Sequence, residues 1–272
     1  MSIVDLHTHS TASDGQYTPS ELVGLAAERG IQTLALTDHD NIDGVDEAVE
    51  AGRLLGVRVV RGVELSADDH TNLHILGYGY QAESPVLRDM IAKLKLDRDK
   101  RKHRIAEFLQ GKGIDLPLCD VEALAKGGVV GRPHFALAMV EHGYVKDRRE
   151  AFDCYLDTPE FRKWDQRKPS AEECIKTIKT AGGKASLAHP YQIVFSPGEE
   201  QDLEVLLRRL VCYGLDAIEC YYPKHTSEQQ AYYLGLAEKY RLHVTGGSDF
   251  HGERLKPDHQ LAKVELNVNW IV

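Results

Sequence analysis

Short apolar runs alternate with helical patterns over most of this 272-residue chain, and that rhythm constrains the fold more than any other feature. SIVDLHT is followed by TPSELVGLAAERG, where Thr18 is a helix N-cap, Pro19 takes the first helical position, Glu21 completes a capping box and Gly30 stops the helix. IQTLALTDHD, VRVVRGVELSA and LHILGYGY read as further strands, with the helix NIDGVDEAVEAGRLLG between the first two. The rhythm breaks near residue 85, where SPVLRDMIAKLKLDRDKRKHRIAEFLQGKG predicts one long charged helix and no convincing strand follows until after residue 165. It resumes as AEECIKTIKTAGG, KASLAHP, LEVLLRRLVCYG, LDAIECYY, SEQQAYYLGLAEKYR and LHVTGGSDFHG, helix and strand in turn. Strands alternating with helices predict a parallel sheet, and about seven of them favour a barrel over an open sheet. The expected fold is therefore an α/β barrel from residues 1–84 and 166–272, with residues 85–165 as a helical insertion.

A formal net charge of −9 argues against general binding of long duplex nucleic acid, which rests on clustered Lys and Arg. It leaves room for a small phosphorylated ligand in a local basic pocket. The five cysteines (Cys119, Cys154, Cys174, Cys212 and Cys220) are odd in number and form no C-x-x-C pair, which fits reduced thiols and a cytoplasmic location. The sequence shows neither a basic-then-apolar leader nor a membrane-length apolar run, so an unprocessed chain without a membrane partner is expected.

The histidines and carboxylates fall into a pattern on this map. His7 and His9 leave the first strand on one face, because alternate strand residues share a side, and Asp14 follows five residues on. His39 ends the second strand, Glu64 the third and His189 the strand KASLAHP, while Asp249 and His251 end the last one; His74 instead stands early in its strand. The C-terminal rim of a parallel barrel is where such enzymes place their active sites. Imidazole and carboxylate donors without thiolate suit Mn²⁺, Fe²⁺ or Zn²⁺ in a catalytic site, and nine candidates are too many for one ion. They suit two or three.

The segments DLHTHSTASDG, LTDHD, GVELS, the histidine of LHILGY, LAHP and GSDFHG, spread over residues 5–252, together resemble the PHP (polymerase and histidinol phosphatase) domain family of the amidohydrolase-like superfamily. The resemblance implies a distorted (β/α)₇ barrel with a trinuclear metal centre, for which manganese is the first expectation. Carried over by position, His7, His9, Glu64 and Asp249 would hold one metal. Glu64, as a bridge, would hold a second with His74 and His189, and Asp14, His39 and His251 would hold the third. In many members of the family a histidine stands at the position of Asp14. The insertion motif GRPHFA at residues 131–136 and the ending TGGSDFHG are similar to the nucleotide branch of the family, which includes 3′,5′-nucleoside bisphosphate phosphatases and enzymes that trim short 5′-phosphorylated RNA.

A phosphate ester would then be hydrolysed by a metal-bridging hydroxide, with the ions offsetting charge on the phosphoryl oxygens. Arg132 supplies a planar fork for phosphate, and His134 could protonate a leaving alkoxide; the bland alternative is a salt bridge and a packed imidazole. Tyr222, Lys224 and His225 follow a strand and could face the same cavity. The run DRDKRKHR reads as a solvated helix face, and His103, His142, His243 and His259 as surface or structural residues.

The leading expectation is removal of the 3′-phosphate from a nucleoside 3′,5′-bisphosphate. The alternatives are 5′-3′ exonuclease action on short 5′-phosphorylated RNA or DNA, a histidinol-phosphate-type phosphatase, and a noncatalytic metal-stabilised module.

Overall fold

The computed structural model describes residues 1–125, 130–164, 168–195 and 202–271, with backbone alone at 98, 99, 162 and 163. The N-terminal part of the chain forms β1 (Ser2–Thr8), α1 (Pro19–Glu28), β2 (Thr33–Leu36), α2 (Val45–Leu55), β3 (Arg58–Ser66) and β4 (His74–Tyr78). The helical stretch follows as α3 (Pro85–Gly111), α4 (Leu118–Leu124), α5 (Arg132–Glu141), α6 (Arg148–Ala151), a π-turn at Phe152–Leu156 and α7 (Pro159–Trp164). Then come α8 (Ala171–Thr180), β5 (Lys184–Leu187), α9 (Leu203–Tyr213), β6 (Ala217–Tyr221), α10 (Ser227–Tyr240), β7 (His243–Gly246) and β8 (Val264–Leu266). The Thr18 side chain and Glu21 close the expected capping box on α1.

The eight strands form one sheet in the order β7-β6-β5-β4-β3-β2-β1-β8, curled into a distorted α/β barrel. The expectation of an all-parallel sheet is corrected at two places. β4 runs antiparallel to both β3 and β5, and the short β8, which the sequence pattern does not announce, runs antiparallel to β1. At β4 the cause is the length of its connection to β3. Residues 67–73 suffice to reverse the chain between β3 and β4, whereas a parallel return needs a crossover of about a dozen residues or more.

After β7 the chain returns to β1 and closes the barrel at its upper rim. Asp249 N–H donates to the His7 carbonyl at 2.8 Å, and His9 N–H to the Phe250 carbonyl at 2.9 Å. Gly247 permits this approach, since a Cβ there would meet the His7 nitrogen at 2.5 Å and its Cα at 2.9 Å. Asp5, fully buried, binds the seam from inside by accepting from Ser248 N–H (2.9 Å), the Ser248 hydroxyl (2.6 Å) and Ala262 N–H (2.8 Å).

Helices α8 and α9 pack on the barrel through Ile175, Ile178, Leu207 and Leu210. Helix α3 joins two cores: Leu87, Ile91 and Leu94 lie in the barrel cluster, whereas Ile105, Phe108 and Leu109 belong to a second cluster with Val121, Phe135, Met139 and Phe161. The expected junction at residues 165 and 166 lies outside the described residues. Among the described residues no helix is long and apolar enough to cross a membrane, and all five cysteines are free.

Candidate metal centre

The upper rim gathers the nine expected ligands into one buried cluster. The reversal of β4 explains why His74 joins it: as the first residue of an antiparallel strand, it lies level with the end of β3, its Nδ1 2.8 Å from Glu64 Oε1. His189 Nε2 is 3.0 Å from the same oxygen. Around the other Glu64 oxygen stand His7 Nε2 at 3.2 Å, His9 Nε2 at 3.3 Å and His39 Nδ1 at 3.0 Å. Asp249 Oδ1 is 3.3 Å from His9 Nε2, and Asp14 Oδ1 is 3.4 Å from His251 Nε2. His189 (φ 23°) and Asp249 (φ 53°) reach these places only from left-handed backbone, an unfavourable conformation for residues other than glycine.

Three groups have donor atoms within 4.8 Å of one another: His7, His9, Glu64 and Asp249; His9, Asp14, His39 and His251; and His39, Glu64 and His74. The first is the quartet expected from sequence. The second contains the expected trio with His9 added. The third joins His39, on one Glu64 oxygen, to His74 on the other, and His189, expected beside His74, faces the same Glu64 oxygen as His74 although it is not in the group.

The donors fit divalent cations. Buried polar atoms normally find a hydrogen-bond partner, yet His7 Nε2, both ring nitrogens of His9, His39 Nδ1, Glu64 Oε2 and His189 Nδ1 are buried without one. Burial opposes ionisation of Asp14, Glu64 and Asp249, but surrounding histidines and, for Asp249, Lys256 hold all three carboxyls well below the usual range. Burial pushes His74 and His251 down to about 3, which keeps their lone pairs available.

A shell of polar groups, of which the sequence reading singled out Tyr222 alone, fixes these ligands. Glu219 faces His7 Nδ1 at 3.2 Å and accepts from His189 N–H at 2.8 Å; a fully buried acid in the strand AIECY is the signal that could have revealed it. Asp38 accepts from Ser10 N–H (2.8 Å), the Ser10 hydroxyl (2.7 Å) and the Ser13 hydroxyl (2.5 Å), holding the loop that carries Asp14. Asp249 Oδ2 accepts from the Tyr222 hydroxyl at 2.9 Å and from Lys256 Nζ at 2.8 Å.

Above the cluster opens a cavity of 360 Å³ whose walls carry Arg101, Arg132, Lys168, Lys224 and Lys256. Arg101 comes from the run read as a solvated face. Arg132 Nη1 donates to Asp157 Oδ1 at 3.2 Å and to the Leu156 carbonyl at 3.3 Å, with Nη2 3.4 Å from Asn72 Oδ1. His134, 1% exposed, is a packed imidazole rather than part of the wall: its Nδ1 accepts from Gly131 N–H at 3.0 Å. His225 likewise stands behind Tyr222, with Nδ1 2.9 Å from the Cys220 carbonyl, and is not among the lining residues.

The model for the PHP domain matches residues 5–182. A 5′-3′ exoribonuclease of Haemophilus influenzae is 34% identical over 248 residues, 91% of this chain and 89% of that protein. A 3′,5′-nucleoside bisphosphate phosphatase of Chromobacterium violaceum is 32% identical over 263 residues, 92% of this chain and 88% of that protein. Among solved structures, an amidohydrolase from Chromobacterium violaceum with bound sulfate and no metal superposes with a TM-score of 0.85 at 31% identity, covering 97% of this chain and 92% of that one. With the buried ligand cluster, these likenesses make the chain a metal-dependent phosphoesterase, a hydrolase of ester bonds. It belongs to the PHP domain family.

Proposed function

We propose that the chain removes the 3′-phosphate of nucleoside 3′,5′-bisphosphates, with two to three divalent ions, Mn²⁺ foremost, held by His7, His9, Asp14, His39, Glu64, His74, His189, Asp249 and His251. The observation that carries this reading is a cluster of buried, unpartnered imidazole and carboxylate atoms at the floor of a cavity whose walls are cationic. Bound ions would acidify water and offset the charge that develops on phosphoryl oxygens. The other roles fall to the chain. Arg132, held in place by Asp157 and Asn72, offers its fork to the non-reacting 5′-phosphate. Lys224 and Lys256 add positive charge on the same cavity, and Lys256 and Tyr222 fix the Asp249 carboxylate. His134 serves as a positioning residue, since its bond to Gly131 N–H fixes the start of α5 and thereby Arg132. The helical stretch from residue 85 to 165 then acts as a cap that brings Arg101 and Arg132 over the floor.

In the reaction, a water oxygen forms a bond to phosphorus, the P–O3′ bond breaks, and the 3′-oxygen leaves with its electron pair and takes up a proton. The bisphosphatase name of a relative supports a small anionic substrate. The test is phosphate release from adenosine 3′,5′-bisphosphate by Mn²⁺-loaded protein. Formation of AMP supports the reading; absence of turnover by protein that has retained its metal overturns it.

A further inference from the structure

Gln192 ends the short turn Pro190–Gln192 that follows the ligand His189, and it stands half-buried on the wall of the cavity above the metal ligands. Its side-chain amide is oriented by a chain of bonds that ends on another ligand. Gln192 Nε2 donates to the Tyr222 hydroxyl at 2.7 Å, and that hydroxyl donates to Asp249 Oδ2 at 2.9 Å. A metal-holding carboxylate is ionised and only accepts, so the single phenolic proton is committed to Asp249 and the Tyr222 oxygen must itself accept from Gln192. The amide therefore faces Tyr222 with its nitrogen. Burial raises the Tyr191 phenol and a bond from the Gln192 amide partly offsets this, so Tyr191 also meets the donor side. Among the described residues nothing donates to Gln192 Oε1, and that atom is not sealed from solvent.

The main chain of the same residue is tied in the opposite direction. Its carbonyl accepts from Asn72 Nδ2 at 3.4 Å, and Asn72 Oδ1 faces Arg132 Nη2 at 3.4 Å. Beside this contact the loop after β5 is bonded to the β3–β4 loop, Thr71 N–H donating to the Val194 carbonyl at 3.1 Å and Val194 N–H to the Thr71 carbonyl at 3.0 Å. Gln192 thus stands between the metal-ligand floor and the arginine assigned to the 5′-phosphate. In a nucleoside 3′,5′-bisphosphate the group between those two phosphates is the ribose, and the hydroxyl next to the reacting phosphate is the 2′-OH. The charged wall of Arg101, Arg132, Lys168, Lys224 and Lys256 can only donate. Asn72 Oδ1 and Asp157 Oδ1 accept from Arg132. A neutral carbonyl such as Gln192 Oε1 can take a hydroxyl proton beside a phosphate without the repulsion a carboxylate would add.

We infer that Gln192 Oε1 accepts a hydrogen bond from the 2′-hydroxyl of the substrate and so makes the site selective for ribonucleotides over 2′-deoxyribonucleotides. This rests on the bisphosphatase reading given above and adds the sugar to it. Gln192 is a specificity-determining residue: it touches the hydroxyl beside the leaving 3′-oxygen and takes no part in the transfer of protons or electrons. Water reaches Oε1 in the free protein, which softens the penalty for a substrate that lacks the hydroxyl. One neutral hydrogen bond in such a place corresponds to a discrimination of about 10-fold.

The experiment compares kcat/KM of the Mn²⁺-loaded full chain on adenosine 3′,5′-bisphosphate and on its 2′-deoxy and 2′-deoxy-2′-fluoro analogues. Fluorine keeps the electron withdrawal and the sugar pucker that the hydroxyl confers, but it cannot donate a hydrogen bond. Both analogues are expected to fall about 10-fold below the parent. Gln192→Met keeps the side-chain length and removes the carbonyl, and it brings the substrates together by lowering the ribonucleotide towards its analogues. Damage passed through Tyr222 to Asp249 would instead lower all of them alike and leave their ratios unchanged. Gln192→Asn, which withdraws the carbonyl by one methylene, replaces Gln192→Met if that variant does not fold and is expected to show the same loss of ratio. Equal turnover of the parent and the deoxy analogue, a fluoro analogue as good as the parent, or a ratio that survives the substitution overturns the inference and leaves the bisphosphatase reading intact. Turnover of none of the substrates by protein that has retained its metal overturns both.

Discussion

Gly247→Ala tests whether the barrel seam sets the position of the metal ligands. A Cβ at this residue meets the His7 side chain, the His7 nitrogen at 2.5 Å and the His7 Cα at 2.9 Å. Most of the obstruction is backbone, which no rotamer change relieves, so β1 must move away from the strand that closes on it. Overpacking costs about 1–3 kcal/mol, and a backbone obstruction belongs at the upper end, near 3 kcal/mol. The same shift displaces His7, whose ring lies 3.2 Å from both Glu64 and Glu219. Gly24→Ala is the matched control. Gly24 lies inside α1 with nothing within 4 Å of its would-be Cβ, so the change stabilises by about 0.5–1 kcal/mol through helix propensity. Urea denaturation of both variants in chelator, followed by metal analysis after Mn²⁺ loading and dialysis, reads out both effects. If Gly247→Ala unfolds within about 0.5 kcal/mol of the native chain, the spread of a neutral substitution, or holds its full metal complement, the seam does not position the ligands.

Glu219→Gln removes the charge behind His7 and lowers Mn²⁺ affinity by about 10- to 100-fold, measured by competition with a chelator; unchanged affinity would show that Glu219 is only a packing residue. Arg132→Ala lowers kcat/KM on adenosine 3′,5′-bisphosphate by roughly 10- to 100-fold, as loss of a charge-assisted phosphate contact demands, and an unaltered value would remove it from the substrate site. The metal-free protein loses stability as pH falls from 5.5 to 4. His74 and His251, at about 3 in the fold against an ordinary value of 6.5, bind protons mainly when unfolded, and the depressed carboxyls of Asp14, Glu64 and Asp249 act in the same direction. His9, raised to about 9 because Asp249 and Glu64 outweigh its burial, is protonated in both states over this range and contributes no slope. Asp5, raised to about 6 by burial, opposes the trend but is outnumbered. A urea midpoint that rises on acidification would contradict this balance. Mn²⁺ at 100 times its dissociation constant adds about 2.7 kcal/mol to folding stability, visible as a higher urea midpoint that chelator reverses.

Most of the ligand set was legible because those residues sit at or just after strand exits, and chain order alone carries strand exits to one rim. His74 was legible as a ligand only through the family resemblance. Its position becomes physically sensible once β4 is seen to run antiparallel, a consequence of the short loop that strand and helix periodicity does not weigh. The substrate walls were harder to read, because a cationic wall assembles from distant segments: Arg101 from mid-helix, Lys168 just before α8, Lys256 after β7. No local pattern distinguishes such a lysine from a solvated one. His134 and His225 show the converse. Both look chemically able in sequence, yet one is engaged with Gly131 and the other with the Cys220 carbonyl.

The most direct test of the central claim is a titration of chelator-stripped protein with Mn²⁺, with phosphate release from adenosine 3′,5′-bisphosphate followed at each addition. The account predicts no turnover at the start, and activity that rises with added metal and saturates at two to three ions per chain. Full turnover by the stripped protein, or saturating metal with no turnover, would contradict it.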